Sequence, residues 1–143
     1  EIAKALYSEG LLVFREALGQ SIKDKANTKE VIETLVISFL KFSEVNYKLS
    51  KYMWLSRHHE YINGMIKAPT MVGLDPLGRK LTKTIKDGIK SGELREINAQ
   101  VMWSILFGIP LSYVRDWLDG YNQIPPTEVA GVLADACWRA LTN

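Results

Sequence analysis

Apolar residues recur along this chain at steps of three and four, the spacing that lays a stripe down one side of an α-helix, and almost nowhere alternate as a strand requires. In the opening segment Ala3, Leu6, Tyr7, Gly10, Val13, Phe14, Ala17 and Leu18 share a face, with Lys4, Ser8, Arg15 and Lys23 toward the other. This predicts a helix to about Asp24. Asn27 followed by Glu30 has capping-box spacing, so a second helix begins at Thr28. Its middle, TLVISFL (34–40), carries no charge and is apolar on most sides, the mark of a helix packed by several neighbours. Short helices are expected near 49–56 and 57–67, then a loop around Pro69 and Gly73. Asp75 and Pro76 supply an N-cap and a first-turn proline for the next helix. Along it Leu77, Leu81, Ile85 and Ile89 form an apolar stripe, and Arg79, Lys83, Lys86 and Lys90 a basic one beside it.

The stretch GIKSGELR (88–95) punctuates the pattern twice. Gly92 falls just after the last periodic residue, where a left-handed C-cap needs glycine, and Lys86 and Lys90 suit the negative end of the helix dipole. Gly88 lies inside the helix at a cost of about 1 kcal/mol relative to alanine, which close approach by another helix would justify. Asn98 then caps a long helix over 99–119, and a last helix covers 127–141. Pro110 should kink the long helix, because it lacks an N–H and crowds the Leu106 carbonyl.

These last two helices are apolar on two faces each. In the long helix one face carries Met102, Ile105, Leu106, Ile109 and Tyr113, and the other Trp103, Phe107, Leu111, Val114 and Leu118. The final helix repeats the arrangement, with Val129, Leu133, Ala136, Cys137 and Ala140 against Ala130, Ala134, Trp138 and Leu141. One domain of this size covers one face of each helix, and the economical cover for the other is the same pair from a second copy. The expectation is an all-α bundle of about six to seven helices forming one domain over 1–143. Its last two helices make a four-helix homodimer contact through Leu111, Val114, Leu118, Val129, Val132, Leu133, Ala136 and Ala140.

Composition agrees with one soluble domain: 143 residues, 47% hydrophobic and 24% charged. Such a chain buries roughly two thirds of its unfolded surface. A net charge of +2 makes no demand for nucleic acid or an anionic membrane. Cys137 is the single cysteine, so no internal disulfide forms and a reducing cytoplasm is the expected compartment. No apolar run reaches membrane-spanning length. The chain opens at Glu1 in what reads as mid-helix, the look of a fragment.

Catalytic signatures are missing. His58 and His59 are adjacent, so on a helix they diverge by about 100° and cannot chelate one metal as an i, i+4 pair would. No phosphate-binding or dinucleotide fingerprint is present, and no enzyme activity, metal or cofactor is expected. The basic stripe from Arg79 to Lys90 reads as a solvated helix face rather than a nucleic-acid surface, since neither aromatic interleaving nor helix-turn-helix spacing accompanies it. The aromatic and methionine residues are ordinary core by default. Many lie on helices surrounding the central one with polar atoms among them, as in a small-molecule cavity.

The turn GIKSGELR (88–95), the long apolar helix MWSILFGIPLSYVRDWLDG (102–120) and the closing PTEVAGVLADACWRALTN (126–143) together resemble the C-terminal regulatory domain of TetR-family (tetracycline-repressor type) transcriptional regulators. The first segment, EIAKALYSEGLLVFREAL (1–18), is similar to the helix that joins that family's DNA-binding head to its regulatory domain. The resemblance spans essentially the whole chain and rests on layout. It implies a dimer through the last two helices and a cavity in each subunit for a small, largely apolar effector. Candidate lining residues are Phe14, Phe39, Phe42, Tyr61, Met65, Ile85, Trp103 and Phe107. It also implies that operator DNA is bound only through an N-terminal head absent from this sequence. The rival reading is a helical protein–protein interaction module with no small-molecule ligand.

Overall fold

The structure, a computed structural model, describes residues 2–55 and 75–143, with side chains placed from Tyr7 onward. The helix expected at 57–67, the two histidines and the candidates Tyr61 and Met65 lie outside the described residues. Within them the chain is all-α. The helices are α1 (Ile2–Ile22), α2 (Thr28–Val45), α3 (Tyr47–Leu55), α4 (Pro76–Ser91), α5 (Ala99–Trp103), α6 (Ile109–Leu118) and α7 (Ala130–Leu141). A π-helical turn, Ser104–Gly108, joins α5 to α6, and a 3-10 turn, Pro126–Glu128, leads into α7. Extended pairing among the described residues is limited to one isolated antiparallel bridge, Leu94 with Thr142.

The predicted caps are in place. The Asn27 side chain accepts from the Glu30 amide, the Asp75 side chain from the Gly78 amide, and the Asn98 side chain from the Gln100 amide. Each satisfies a donor that the first helical turn leaves without an internal partner. α2 is the central helix: it packs most extensively on α7 and also touches α1, α3, α4 and α6. Leu35, Val36, Phe39 and Leu40 accordingly lose nearly all contact with solvent. Glu44 near its end accepts from both the amide and the hydroxyl of Thr127, holding the start of the 3-10 turn against α2.

Two details differ from the sequence expectation. The helix over 99–118 accommodates Pro110 with a turn of π geometry immediately before it, Ser104–Gly108, which spacing did not announce. Leu111 and Val114, expected at the dimer contact, are buried within the chain at 7% and 0% exposure. The close neighbour of Gly88 is also not another helix in the main. A Cβ there would lie 2.6 Å from Leu94 Cδ1 and 3.2 Å from Thr28 Cγ2.

That contact explains the turn after α4. Gly92 adopts φ 84°, the left-handed C-cap its position predicted. The chain then folds Leu94 back over Gly88, its amide bonded to the Gly88 carbonyl. Arg95 reaches the far end of the molecule: its amide donates to the Leu141 carbonyl and its guanidinium to the Ala140 carbonyl. A cation thus satisfies carbonyls that the end of α7 leaves unpaired.

Candidate functional site

Three regions hold the residues singled out by the sequence. The first is an aromatic cluster where α1, α2 and α3 meet the π turn. Phe14 sits edge-on to Phe39, Phe42 and Trp54, with ring centroids 5.2, 5.3 and 5.3 Å away. Phe39 stacks on Trp54 at 5.9 Å and lies 6.2 Å from Phe107, which stacks on Trp103 at 5.8 Å. These are favourable aromatic geometries. Five of the candidate lining residues (Phe14, Phe39, Phe42, Trp103 and Phe107) therefore converge, each ring paired with at least one other. Ile85 stands apart, half-buried on α4 at the core's edge.

The cluster holds one unsettled element. Ser50 and Trp54, one turn apart on α3, are 0% and 3% exposed, and among the described residues neither the Ser50 hydroxyl nor the Trp54 indole N–H has a hydrogen-bond partner. A buried donor left unpaired costs about 1–3 kcal/mol, so such groups call for a partner. An indole N–H only donates and a hydroxyl does both, so an oxygen acceptor on a bound molecule would satisfy the two together. Ser43, by contrast, is settled, its hydroxyl donating to the Phe39 carbonyl. Neither Ser50 nor Trp54 is among the candidate lining residues that the sequence suggested. The available signal was a serine four residues before a tryptophan on an apolar stripe.

The second region is a groove of about 690 Å³ between α1 and α4. Arg15 spans its two walls: Nε and Nη2 donate to the two carboxylate oxygens of Asp75 at 2.5 and 2.9 Å. The same carboxylate caps α4 through the Gly78 amide at 2.8 Å. Burial works against the charged form of Asp75, but the bonds from Arg15 and the Gly78 amide and the Arg15 charge outweigh it. The carboxyl is held below its ordinary value. Sixty residues separate the partners, and no sequence spacing announces the pair.

The third region is the outer side of the terminal helices. Val101, Ser104, Gly108 and Ser112 are exposed along one edge of α5, the π turn and α6, as are Gly131, Val132 and Ala136 on α7. Val132 is 72% exposed. Of the residues expected at a dimer contact, Val132 and Ala136 lie on this surface, and Leu118, Val129, Leu133 and Ala140 are half-buried beside it. Leu111 and Val114 belong to the chain's own core, as described above.

The one cysteine lies within the described residues. Cys137 is fully buried, its thiol pushed up to about 11 by burial and directed at the Ile105 carbonyl 3.5 Å away. It is a packed thiol rather than a nucleophile. Among the described residues no group of three or more histidine, cysteine or acidic side chains is placed to hold a metal, and no helix is long and apolar enough to cross a membrane.

No model of a known protein family matches the chain, and no curated protein matches it. A solved structure described as that of a protein with unknown function from Rhodococcus sp. RHA1 superposes with a TM-score of 0.68. The match covers 99% of this chain and 72% of that one at 17% identity. At that identity the likeness is one of fold: the helical arrangement described above is shared by a second, longer chain.

Proposed function

We propose that this chain is the ligand-binding and dimerisation domain of a TetR-type transcriptional regulator, a repressor that releases DNA when a small, largely apolar effector binds. The observation that carries the reading is the outer surface of the terminal helices, where small residues and an exposed valine occupy positions that charged residues fill on a solvated helix. A second copy covering that surface places two α1 helices, and the heads they would carry, in a fixed relation. The longer solved relative has a little over a quarter of its chain outside the match, room for such a head.

The effector site is the aromatic cluster, with Ser50 and Trp54 offering the polar recognition point. Phe14 makes α1 part of its wall. An effector that parts these rings repositions α1 and lowers DNA affinity by its differential binding to the two arrangements. The candidates Phe39, Phe42, Trp103 and Phe107 keep their assignment as lining residues in this proposal.

Sedimentation of the chain tests the dimer, with Val132→Asp as the disrupting variant. A dimer at micromolar concentration that Val132→Asp converts to a folded monomer is the expected outcome. A monomeric parent chain would remove the reading's main support. The transcriptional part is tested on a chain extended upstream: effector should weaken operator binding in proportion to the stabilisation it gives by mass action.

A further inference from the structure

The α1–α4 groove has a direction. Arg15 pairs with Asp75, Gly19 abuts Leu77, and the Lys80 ammonium donates to the Lys25 carbonyl at 2.6 Å, so the two walls run side by side in the same sense. On α1 the lining residues Leu12, Gly19 and Lys23 fall at helical steps. Pro76, Lys80 and Lys83 face them from α4. Absence of a side chain at Gly19 sets the depth, since a Cβ there would already touch the Leu77 backbone at 3.5 Å.

The two ends differ in chemistry. At the Leu12 end the charge pair of Arg15 with Asp75 is settled internally, and Leu12 itself is 52% exposed. At the other end Lys23, Lys80 and Lys83 converge. Lys80 spends one N–H on a carbonyl, which leaves its charge unneutralised. Lys83 shares its charge with Asp87 in solvent. Five cationic and two acidic side chains line the groove, yet most of its surface is apolar, much of it lysine and arginine stem.

We propose that this groove is a binding site for a small amphipathic anion, a free carboxylate carried on a medium-length apolar body. The apolar body lies along Leu12 and Pro76 over the Gly19 floor, and the carboxylate meets the lysine end. The volume is that of sites for drug-sized ligands. The groove shares no residue with the aromatic cluster, so the assignment stands or falls independently of the regulator reading.

Isothermal titration of the intact chain with octanoate, 1-octanol, acetate and inorganic phosphate tests it. Octanoate should saturate at one per chain, and each of the other three should bind more weakly by about tenfold or more. Reversing two rim charges, Lys23→Glu with Lys83→Glu, should weaken octanoate by about tenfold while octanol binding stays put and melting temperature falls only by the small amount that losing the exposed Lys83–Asp87 pair entails. Both lysines are exposed, so the fold does not depend on them. Trp103→Ala, in the aromatic cluster, should leave octanoate affinity unchanged. The proposal is overturned if octanol or phosphate equals octanoate, if the reversed pair binds octanoate as the parent does, or if Trp103→Ala rather than the lysine pair abolishes binding.

Discussion

Phe14 and Arg15 are neighbours on α1, yet they anchor that helix in two regions governed by different physics. Phe14 enters a cluster of rings whose attraction is diffuse, shared among Phe39, Phe42 and Trp54 and insensitive to pH or salt. Arg15 enters a bidentate bond with one carboxylate, directional and dependent on that group's protonation. A ring cluster tolerates sliding and re-stacking, whereas a fork of two N–H bonds to one carboxylate has a single register. α1 is thus fixed in register at Arg15 and held by adaptable packing at Phe14. On the regulator reading proposed above, the adaptable contact is the one an effector would alter.

The largest effect should come from the ring side. Phe39→Ala removes the ring that touches Phe14, Trp54 and Phe107, and is expected to cost about 3–5 kcal/mol in denaturant unfolding. A loss under about 1 kcal/mol would mean that the cluster is loose enough to be a vacated site and would break the contrast.

On the other side, Asp75→Ala deletes an N-cap and leaves a guanidinium of 10% side-chain exposure unpaired, for an expected loss of about 2 kcal/mol. Asp75→Asn keeps the capping oxygen and should cost roughly half as much. Acid should separate the regions further. Because Asp75 has a folded-state pKa below its unfolded one, its contribution is complete above the unfolded value and vanishes as pH falls through the folded value. Between neutral pH and about pH 3 the parent chain should therefore lose more stability than Asp75→Asn does. Equal acid slopes would show that Arg15 and Asp75 contribute nothing as ions.

The smallest expected effect is the most specific. Trp54→Phe removes an unpaired buried N–H while keeping an aromatic ring, so unliganded stability should change by less than about 1 kcal/mol in either direction. Effector-induced stabilisation should fall sharply in the same variant. A large loss of unliganded stability would mean that the packing lost with the larger ring outweighs the relief of the unpaired N–H.

Much of the fold was legible because its signals are local. Asn27, Asp75, Gly92 and Asn98 each act within a few residues of themselves, and the charge-free run in α2 announces a central helix without reference to any partner. Spacing did not reveal the π turn ahead of Pro110, and Leu111 and Val114, expected at the dimer contact, lie in the chain's own core. The ring cluster could be guessed from type and spacing, but that its members close on one another depends on how three helices approach. The Arg15–Asp75 pair and the groove beside it are products of that approach and have no trace in spacing. Val132 and Ala136 were readable as surface because α7 runs as an unbroken α-helix from Ala130.

The clasp that Leu94 and Arg95 make with Gly88 and the end of α7 has a consequence for how this molecule opens. Both amides belong to a short connecting segment, where hydrogen exchange is ordinarily fast. Here the Arg95 amide is released only when the last turn of α7 lets go of it, and the Leu94 amide when the segment lifts from α4. The two ends of a stretch of some fifty residues, from Gly88 to Leu141, are thereby joined into one cooperative unit. In native-state exchange, Arg95 should report the same opening free energy as the amides in the last turn of α7, and removing the final residues should deprotect the middle of the chain.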